Sequence, residues 1–463
     1  MCYNIATYKA KKVTKGVKMD RLKINFDKTV GKIKPMNAVN NGPAGEKERN
    51  TGNFEAYKAA RFSYARLHDA SFYYPYGGEF SVDVHRIFRD FDADVDDESA
   101  YIFAPTDEYL KNITDAGTKI FYRLGASIEH GYKYGTFPPK DYLKWAQICE
   151  RIIRHYTEGW ANGFYYDIEY WEIWNEADCT DPGGSNPCWQ GTQEEFIDFY
   201  CVTSTYLKSK FPHLKIGGPS VAWIGTGLMG ALLPEIKARG AALDFFSFHK
   251  YSSVVSWIVD DTLLTRKALD ENGFYDTEII LNEWNYIKGW GGKLWEYSLA
   301  TEKNLKGASF ALSVMCTAQV LPIDMLMYYD ARPNGMNGLF THSLSPLKTY
   351  YVYNAFADLK ELGNSAQIEV DGQDIYAVAA TNGKESAVLL TFYNDDIEDG
   401  KKNICLEVNG ANSCGRVKAE IYLLNEKNNM ELVKTKFFKS NKFNIKLKAK
   451  SYESYMIKFK PEK

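Results

Sequence analysis

Short apolar runs alternate with longer amphipathic segments along most of the chain before Gly363. Eight of the runs are strand-like, and those that reach Asn175 and Asn282 carry β-branched and aromatic residues at consecutive positions, which is typical of parallel strands buried on both faces. These eight predicted strands are 34–40, 63–68, 119–124, 170–175, 215–219, 243–249, 278–283 and 324–329.

Segments with helical spacing fall between these runs. The segment 139–156 repeats apolar residues every third or fourth position, and 192–210 opens with Thr192 and Glu195 in a capping-box pattern. The remaining predicted helices are 229–239, 262–272, 299–321 and 346–362. This alternation predicts an α/β fold, a (β/α)8 TIM barrel, with the polar stretch 71–102 as an extended loop over its mouth.

The pattern changes after Gly363, where short alternating runs are separated by turn pairs such as Asn382-Gly383. They predict a C-terminal antiparallel β-sandwich, to which the early run 22–26 adds a strand. The predicted strands are 375–380, 387–393, 403–408, 417–424, 443–447 and 454–459. The predicted organisation is an N-terminal tail (1–20), a segment contributed to the sandwich (21–33), the catalytic barrel (34–362) and the sandwich (363–463).

Composition narrows the class of protein. The 463 residues suit two domains, and a formal net charge of −3 gives no basic surface for nucleic acid. No apolar run is long enough to span a membrane, and the lysine-rich start lacks the apolar core of a signal peptide. We therefore expect a cytoplasmic protein, unless a misplaced start conceals a leader. Eight cysteines form no disulfide framework, and whether Cys179 and Cys188 are bridged stays open.

Two apolar segments end in Asn-Glu, one at Asn175-Glu176 and the other at Asn282-Glu283. A pair of carboxylates is the minimum machinery for hydrolysing a glycosidic bond. The carboxyl ends of barrel strands open into one pocket, and many other polar groups follow the predicted strands. Those groups are Asn40, Asn41, Arg66, His68, Asp69, Glu129, His130, His249, Tyr251, Tyr329, Asp330 and Arg332.

The chain resembles clan A of the glycoside hydrolases and is most similar to family 39, the family of β-xylosidases and α-L-iduronidases. The resemblance is carried by five motifs in the expected order. They are Asn40-Asn41-Gly42-Pro43, Arg66-Leu67-His68-Asp69, Glu172-Ile173-Trp174-Asn175-Glu176, Phe248-His249-Lys250-Tyr251 and Asn282-Glu283-Trp284. It implies a retaining double displacement, with Glu176 as general acid/base and Glu283 as nucleophile.

Supporting roles are expected for the residues around this pair. Asn175 would bind the sugar 2-hydroxyl, Tyr251 would orient Glu283, and Arg66 would keep Glu283 ionised. The other expected substrate-binding residues are His68 and His249 for hydroxyls, Trp284 for the sugar face, Asn41 and Tyr329. Glu172 is interpreted as an internal hydrogen-bonding or ion-pair partner. Packing is favoured over substrate subsites for Trp223, Trp257, Trp290 and Trp295.

The chain departs from the common family pattern at three places. Ala177 stands where proline is frequent, and Asn282 stands where threonine or serine is frequent. The eighth strand ends in Tyr328-Tyr329-Asp330, where many clan members place a tryptophan under the sugar, so the donor sugar stays open.

The favoured hypothesis is a β-xyloside hydrolase without metal or organic cofactor. Its partners would be an oligosaccharide or glycoside, with no nucleic acid or membrane, and a homo-oligomer stays open. The alternatives are a non-catalytic carbohydrate-binding protein on the same barrel and a glycosidase for arabinoside, iduronide or glucoside. A third is a metal-dependent hydrolase that uses His68, His130 and His249.

Overall fold

The structure is a computed structural model that describes residues 19–45, 52–68, 82–126, 135–179, 186–225, 227–333, 335–411 and 416–462. Asp69, Glu129 and His130 lie outside the described residues. In chain order the strands are β1 (Met19–Lys32), β2 (Ala38–Asn40), β3 (Tyr64–Arg66), β4 (Lys119–Leu124), β5 (Tyr170–Ile173), β6 (Lys215–Val221), β7 (Phe245–Tyr251), β8 (Glu278–Asn285), β9 (Met325–Tyr328), β10 (Asn364–Asp371), β11 (Ile375–Thr381), β12 (Ser386–Phe392), β13 (Lys401–Asn409), β14 (Val417–Leu424), β15 (Asn429–Phe438), β16 (Lys442–Lys450) and β17 (Ser454–Pro461).

The helices surround the barrel and connect its strands. They are α1 (Phe54–Ala60), α2 (Val84–Ile87), α3 (Ala104–Asp115), α4 (Tyr142–Thr157), α5 (Gln193–Lys210), α6 (Leu228–Arg239), α7 (Val255–Glu271), α8 (Gly292–Glu302), α9 (Leu305–Ala318) and α10 (Lys348–Glu361). Short 3-10 turns lie at Glu98–Ala100 and Trp160–Asn162. Among the described residues, no helix is both long enough and apolar enough to cross a membrane.

Strands β2 to β9 close into a barrel in which every neighbouring pair is parallel. Inward-facing side chains fill its interior with an apolar layer, as the two-residue period of strands requires. That layer consists of Ala38, Phe121, Tyr170, Phe245, Ile280, Met325 and Met327. The prediction of a (β/α)8 barrel is confirmed, and each predicted run overlaps one of the eight strands, although β6, β7 and β8 extend two residues past their predicted ends.

A helix start is predicted correctly where the sequence shows both residues of a capping box. Thr192 and Glu195 form the predicted capping box at the start of α5. The single predicted helix 299–321 is wrong, because Asn304 accepts from the backbone N–H of Lys306 and Gly307 and begins a new helix there. The predicted start at Thr262 is also wrong, since its hydroxyl donates to the Ile258 carbonyl inside α7.

The stretch predicted as one loop before Ile102 contains α2 and a 3-10 turn within its described part. Helices α1 and α3 were not predicted. The first turn of α3 includes Pro105, and its buried residues Leu110 and Ile113 are too few to give a strong helical period.

Strands β1 and β10 to β17 form a second, nine-stranded sheet in the order β15-β14-β17-β12-β11-β10-β1-β13-β16. The sheet folds over on itself, since the Phe438 ring of β15 stacks on the Phe443 ring of β16 at 3.9 Å although these strands end the order. Strands β10 and β15 were not predicted. The prediction of a C-terminal antiparallel domain is confirmed, with one exception among the described strands, because β1 runs parallel to β13.

This second sheet packs on the barrel through polar and aromatic contacts. The Asp395 carboxylate, which follows β12, accepts from Tyr286 and Lys288 at 2.6 Å each and pairs with Lys306 at 2.9 Å. The Tyr393 hydroxyl donates to the Ser253 carbonyl at 2.6 Å. These contacts tie the sheet to the segments after β7 and β8.

Candidate active site

The two Asn-Glu segments reach the same end of the barrel. Asn175 and Glu176 follow β5 after Trp174, whereas Glu283 lies within β8 beside a register shift. Leu281 pairs with Phe248 and Glu283 pairs with His249, so one extra residue is inserted into β8. The resulting bulge explains how the consecutive residues Asn282 and Glu283 both reach the barrel interior.

The turn that carries Glu176 has an unusual backbone. Trp174 and Glu176 have φ angles of 72° and 47°, in the left-handed region that non-glycine residues adopt at a cost of roughly 1–2 kcal/mol each. Backbone hydrogen bonds hold both residues, from Trp174 N–H to Leu124 at 2.8 Å and from Glu176 N–H to Ser220 at 2.9 Å. Strain of this kind accumulates where a side chain must be aimed at a site.

His249 lies between the two glutamates. Its Nδ1 is 2.6 Å from Glu176 Oε1, and its Nε2 is 3.6 Å from Glu283 Oε2. One oxygen of each carboxylate and one ring nitrogen of His249 lie within 4.8 Å of one another. The side chains of Glu176 and Glu283 are 14% and 9% exposed, so both line a cavity that stays open to solvent.

Glu283 is surrounded by positive and proton-donating groups. Its Oε2 lies 3.1 Å from His68 Nε2 and 3.3 Å from Arg66 Nη1, while its Oε1 accepts from the Tyr251 hydroxyl at 2.6 Å. Burial raises the pKa of Glu283, but His249, His68 and Arg66 outweigh it and hold the pKa below its ordinary value. Glu283 is therefore an ionised carboxylate at neutral pH.

Arg66 connects this carboxylate to the layer beneath it. The guanidinium is fully buried and donates to Glu172 Oε2 at 2.7 Å and to Asn175 Oδ1 at 2.6 Å. The other oxygen of Glu172 accepts from Ser247 at 2.6 Å and Asn282 at 2.5 Å. Glu172 is thus an internal ion-pair partner, which agrees with its sequence interpretation.

Asn175 is oriented by this network. Because its Oδ1 accepts from Arg66, its amide nitrogen is the group left to donate to a ligand hydroxyl. Tyr251 is oriented as well, since burial and the Glu283 charge raise its pKa well above the ordinary value and its hydroxyl keeps its proton.

Two further predicted substrate-binding residues lie near the pair. Tyr329 packs edge-on against the His68 ring, with centroids 5.4 Å apart, and its side chain is buried. Asn41 is also buried, and its amide donates to Asp330 Oδ2 at 2.9 Å. Asn41 therefore braces the end of β9 through Asp330.

Trp284 requires a correction. Its side chain is fully buried, with its ring 5.3 Å from Tyr328 and 6.2 Å from Phe310 of α9. It packs between the barrel and the helix layer, because alternation along β8 turns it away from the face that carries Glu283. Trp284 accordingly offers no ring face to a sugar.

Sequence reasoning missed Ser220 as a member of the site, and it named Asn40 only as a polar group at a strand end without giving it a role. The Ser220 hydroxyl contacts His249 Nε2 at 2.6 Å and accepts from Arg66 Nη2 at 2.9 Å. Asn40 Oδ1 accepts from Arg66 Nη1 at 3.1 Å, and its amide donates to the Asn282 carbonyl at 2.8 Å. The Gly217-Gly218-Pro219 run was a usable signal for Ser220, because glycine and proline inside a strand mark an irregularity, and the register of β6 with β7 shifts between Gly218 and Val221.

Comparison with known proteins agrees with this arrangement. A family profile described as glycosyl hydrolases family 39 matches residues 16–272, which is more than half of the chain. The chain belongs to this family.

A curated family relative is the beta-xylosidase of Geobacillus stearothermophilus, 26% identical over 178 residues. The match covers 36% of this chain and 34% of the relative, so the chain spans about a third of that relative's length. Solved structures of similar fold include a glucosidase from Croceicoccus marinus (TM-score 0.78, 19% identity, 96% of this chain and 99% of that one). Another is a monomeric beta-xylosidase from Caulobacter crescentus (TM-score 0.71, 14% identity, 96% and 100%).

Tryptophans at the mouth of this family 39 barrel are more exposed than expected. The prediction of packing is wrong for Trp223, Trp257 and Trp290, which are 61%, 54% and 59% exposed. Trp290 contacts the Tyr251 ring at 5.0 Å and stacks on Trp295 at 5.4 Å. These rings follow β6, β7 and β8 at the end of the barrel that holds the glutamates.

Two groups in the described residues have the donor types and spacing to hold a metal ion. One is Glu176, His249 and Glu283, and the other is Glu176, Cys179 and Cys188. The trio expected for a metal hydrolase cannot be assembled from the described residues, since His130 lies outside them. His68 and His249 both direct a ring nitrogen at Glu283 instead.

Proposed function

We propose that the protein is a retaining glycosidase, with Glu283 as nucleophile, Glu176 as general acid/base and a β-xyloside as the favoured substrate. The observation that carries the proposal is that one oxygen of Glu176 and one oxygen of Glu283 lie within 4.8 Å of each other. Retaining enzymes hold their carboxyl groups about 5–5.5 Å apart, whereas inverting enzymes leave roughly 6.5–9.5 Å for a water molecule. The separation favours direct attack by one carboxylate on the anomeric carbon.

In the first step, Glu283 forms a bond to the anomeric carbon while Glu176 gives its proton to the departing glycosidic oxygen. The lowered pKa of Glu283 supports the nucleophilic role, because burial is outweighed by His249, His68 and Arg66 and the carboxylate stays ionised. The Tyr251 hydroxyl, 2.6 Å from Oε1, holds the carboxylate in one orientation for the attack.

In the second step, water replaces the leaving group. Glu176 removes a proton from this water as its oxygen attacks the same carbon, and the bond to Glu283 breaks. His249 suits both steps, because it contacts Glu176 through Nδ1 and approaches Glu283 through Nε2. It couples the positions of the acid/base and the nucleophile throughout the cycle.

The preference for a β-xyloside is supported by family 39 membership and by the beta-xylosidase of Geobacillus stearothermophilus. Tyr329 at the end of β9 contributes an aromatic edge to the donor site through its contact with His68. A panel of aryl xyloside, arabinoside, glucoside, galactoside and iduronide tests the sugar, with the xyloside expected to give the highest kcat/KM.

The variants Glu176→Gln and Glu283→Gln test the catalytic roles. Each should lower kcat roughly 10²- to 10⁴-fold on an aryl xyloside while leaving the circular dichroism spectrum unchanged. Glu278→Gln is a matched control, because Glu278 begins the same strand as Glu283 and pairs with Lys215 at the opposite end of the barrel. Near wild-type turnover in either active-site variant would refute the assignment.

Covalent trapping separates catalysis from simple carbohydrate binding. Incubation with a 2-fluoro xyloside should add the mass of one glycosyl group, and peptide mapping should locate it on Glu283. A protein that binds the sugar without a mass increase fits the non-catalytic alternative instead.

A further inference from the structure

Two cysteines lie beside the carboxylate of Glu176. Cys188 Sγ is 4.0 Å from Glu176 Oε2, and Cys179 follows Glu176 by three positions. One ligand atom of each of these three residues lies within 4.8 Å of the other two. Both cysteines are free thiols.

We propose that Glu176, Cys179 and Cys188 form a site for a thiophilic divalent cation of the zinc and cadmium class, and that its occupation shuts off the general acid/base. The inhibitory consequence rests on the role proposed for Glu176. Binding of the cation depends only on the three side chains.

The geometry suits tetrahedral coordination after a small adjustment. With metal–sulfur bonds of about 2.3 Å and metal–oxygen bonds of about 2.1 Å, tetrahedral angles place sulfur and oxygen about 3.6 Å apart. The observed 4.0 Å between Cys188 Sγ and Glu176 Oε2 is within a few tenths of an ångström of that value. A change of side-chain torsion, without backbone movement, closes the difference.

The backbone on both sides of the site is held in place. The Asn186 amide donates to the Ala177 carbonyl at 2.6 Å and links the segment after β5 to the segment before α5. Asn186 Oδ1 accepts from the Cys188 N–H at 2.9 Å, and the Cys188 carbonyl accepts from Trp174 Nε1 at 2.8 Å. These hydrogen bonds, all between described residues, therefore hold the backbone segments that carry the two thiols.

Charge and access also favour a cation. His249 contacts Glu176 through Oε1, which leaves Oε2 directed toward Cys188. Glu176 is 14% exposed at the barrel mouth, so an ion can enter from solvent and keep a water molecule as its fourth ligand. Cys188 is almost completely buried and forms the floor of the site.

Binding converts two thiols and the carboxyl group of Glu176 to metal ligands, and the two thiol protons and the proton that Glu176 carries as general acid pass to solvent. Once Oε2 is bound to the cation, Glu176 no longer exchanges a proton with the glycosidic oxygen or with water. Inhibition should therefore be reversed by a chelator. It should also strengthen as pH rises, because proton release accompanies binding.

The test is titration of the reduced, full-length protein with cadmium in the presence of a phosphine reductant. The ultraviolet charge-transfer band of cadmium thiolates reports binding, and hydrolysis of an aryl xyloside is measured on the same samples. We expect the band to saturate at a single ion per chain, activity to fall in parallel, and a chelator to restore it.

Variants identify the ligands. Cys179→Ala and Cys188→Ala should lose both the band and the inhibition while keeping their hydrolytic activity. Cys405→Ala, a buried thiol of the second sheet, should keep both responses. Glu176→Gln, which is expected to be inactive, should bind cadmium about tenfold more weakly or worse, a result that requires no turnover.

Several results would overturn the proposal: no band in the wild type, a band that survives loss of either Cys179 or Cys188, or unchanged affinity in Glu176→Gln. Full hydrolytic activity at saturating cadmium would overturn the proposed inhibition of Glu176. If no glycoside is hydrolysed, the proposed function fails, but the absorbance titration still decides whether the site exists.

Discussion

Glu302 at the end of α8 is a buried carboxyl group whose surroundings destabilise its ionised form. Its side chain is fully buried, and neither of its oxygens has a hydrogen-bond partner among the described residues. Burial raises its pKa from 4.5 to about 8, against the opposing charge of Lys303 and with help from Asp330. Glu302 therefore stays protonated in the folded protein at neutral pH.

This raised pKa couples folding to pH. Between pH 4.5 and about pH 8 the unfolded chain ionises Glu302 whereas the folded chain does not, so stability falls as pH rises. At about 1.36 kcal/mol per pH unit, this group lowers the free energy of unfolding at pH 7 by about 3 kcal/mol relative to strongly acidic solution. The loss ends once pH passes the folded pKa.

The variant Glu302→Gln removes the titration and keeps the shape of the side chain. We expect its advantage in unfolding free energy over the wild type to grow by about 2.5 kcal/mol between pH 5.5 and pH 7.5. Urea denaturation followed by tryptophan fluorescence across this range measures the difference. Glu296→Gln, at an exposed position of the same helix, is the control and should show a constant difference.

A difference between Glu302→Gln and the wild type that does not change with pH would refute the reasoning. It would mean that the folded protein accommodates the charge as well as water does. A uniform loss of stability in the variant would point to packing of the amide and not to titration.

Three further changes test the networks around the site. Tyr251→Phe removes a hydrogen bond to the Glu283 carboxylate and should lower kcat on an aryl xyloside about 10- to 100-fold, with the folded structure intact. Ser220→Ala removes the hydroxyl shared by His249 and Arg66 and should lower kcat about tenfold, measured with the same substrate. Asp395→Asn should lower the free energy of unfolding by about 2 kcal/mol in urea denaturation at neutral pH.

Each of these expectations has a contrary result. An unchanged kcat in Tyr251→Phe would mean that the hydroxyl does not orient the nucleophile. Equal losses in kcat and thermal stability in Ser220→Ala would indicate a purely structural role. Because partners hold the pKa of Asp395 below its ordinary value against burial, the destabilisation in Asp395→Asn should vanish in strongly acidic solution; persistence there would contradict the ionic explanation.

The sequence by itself determined the barrel, because eight strand-like runs alternate with helical segments, and this local pattern needs no long-range information to recognise. It also determined which carboxylates to consider, since Glu176 follows one such run and Glu283 ends another. The capping box at Thr192 could also be predicted from the sequence, because its two partners lie within one helical turn.

Only the tertiary structure decided the arrangement inside the pocket. The register shift in β8 turns Asn282 and Glu283 inward and leaves Trp284 in the helix layer. No local sequence pattern predicts such a bulge. Ser220 joins the site because β6 brings it beside Arg66. The nearness of Cys188 to Glu176 likewise depends on how two loops pack. Local preferences set which segments become strands, but distances between side chains from different strands arise only when the barrel closes.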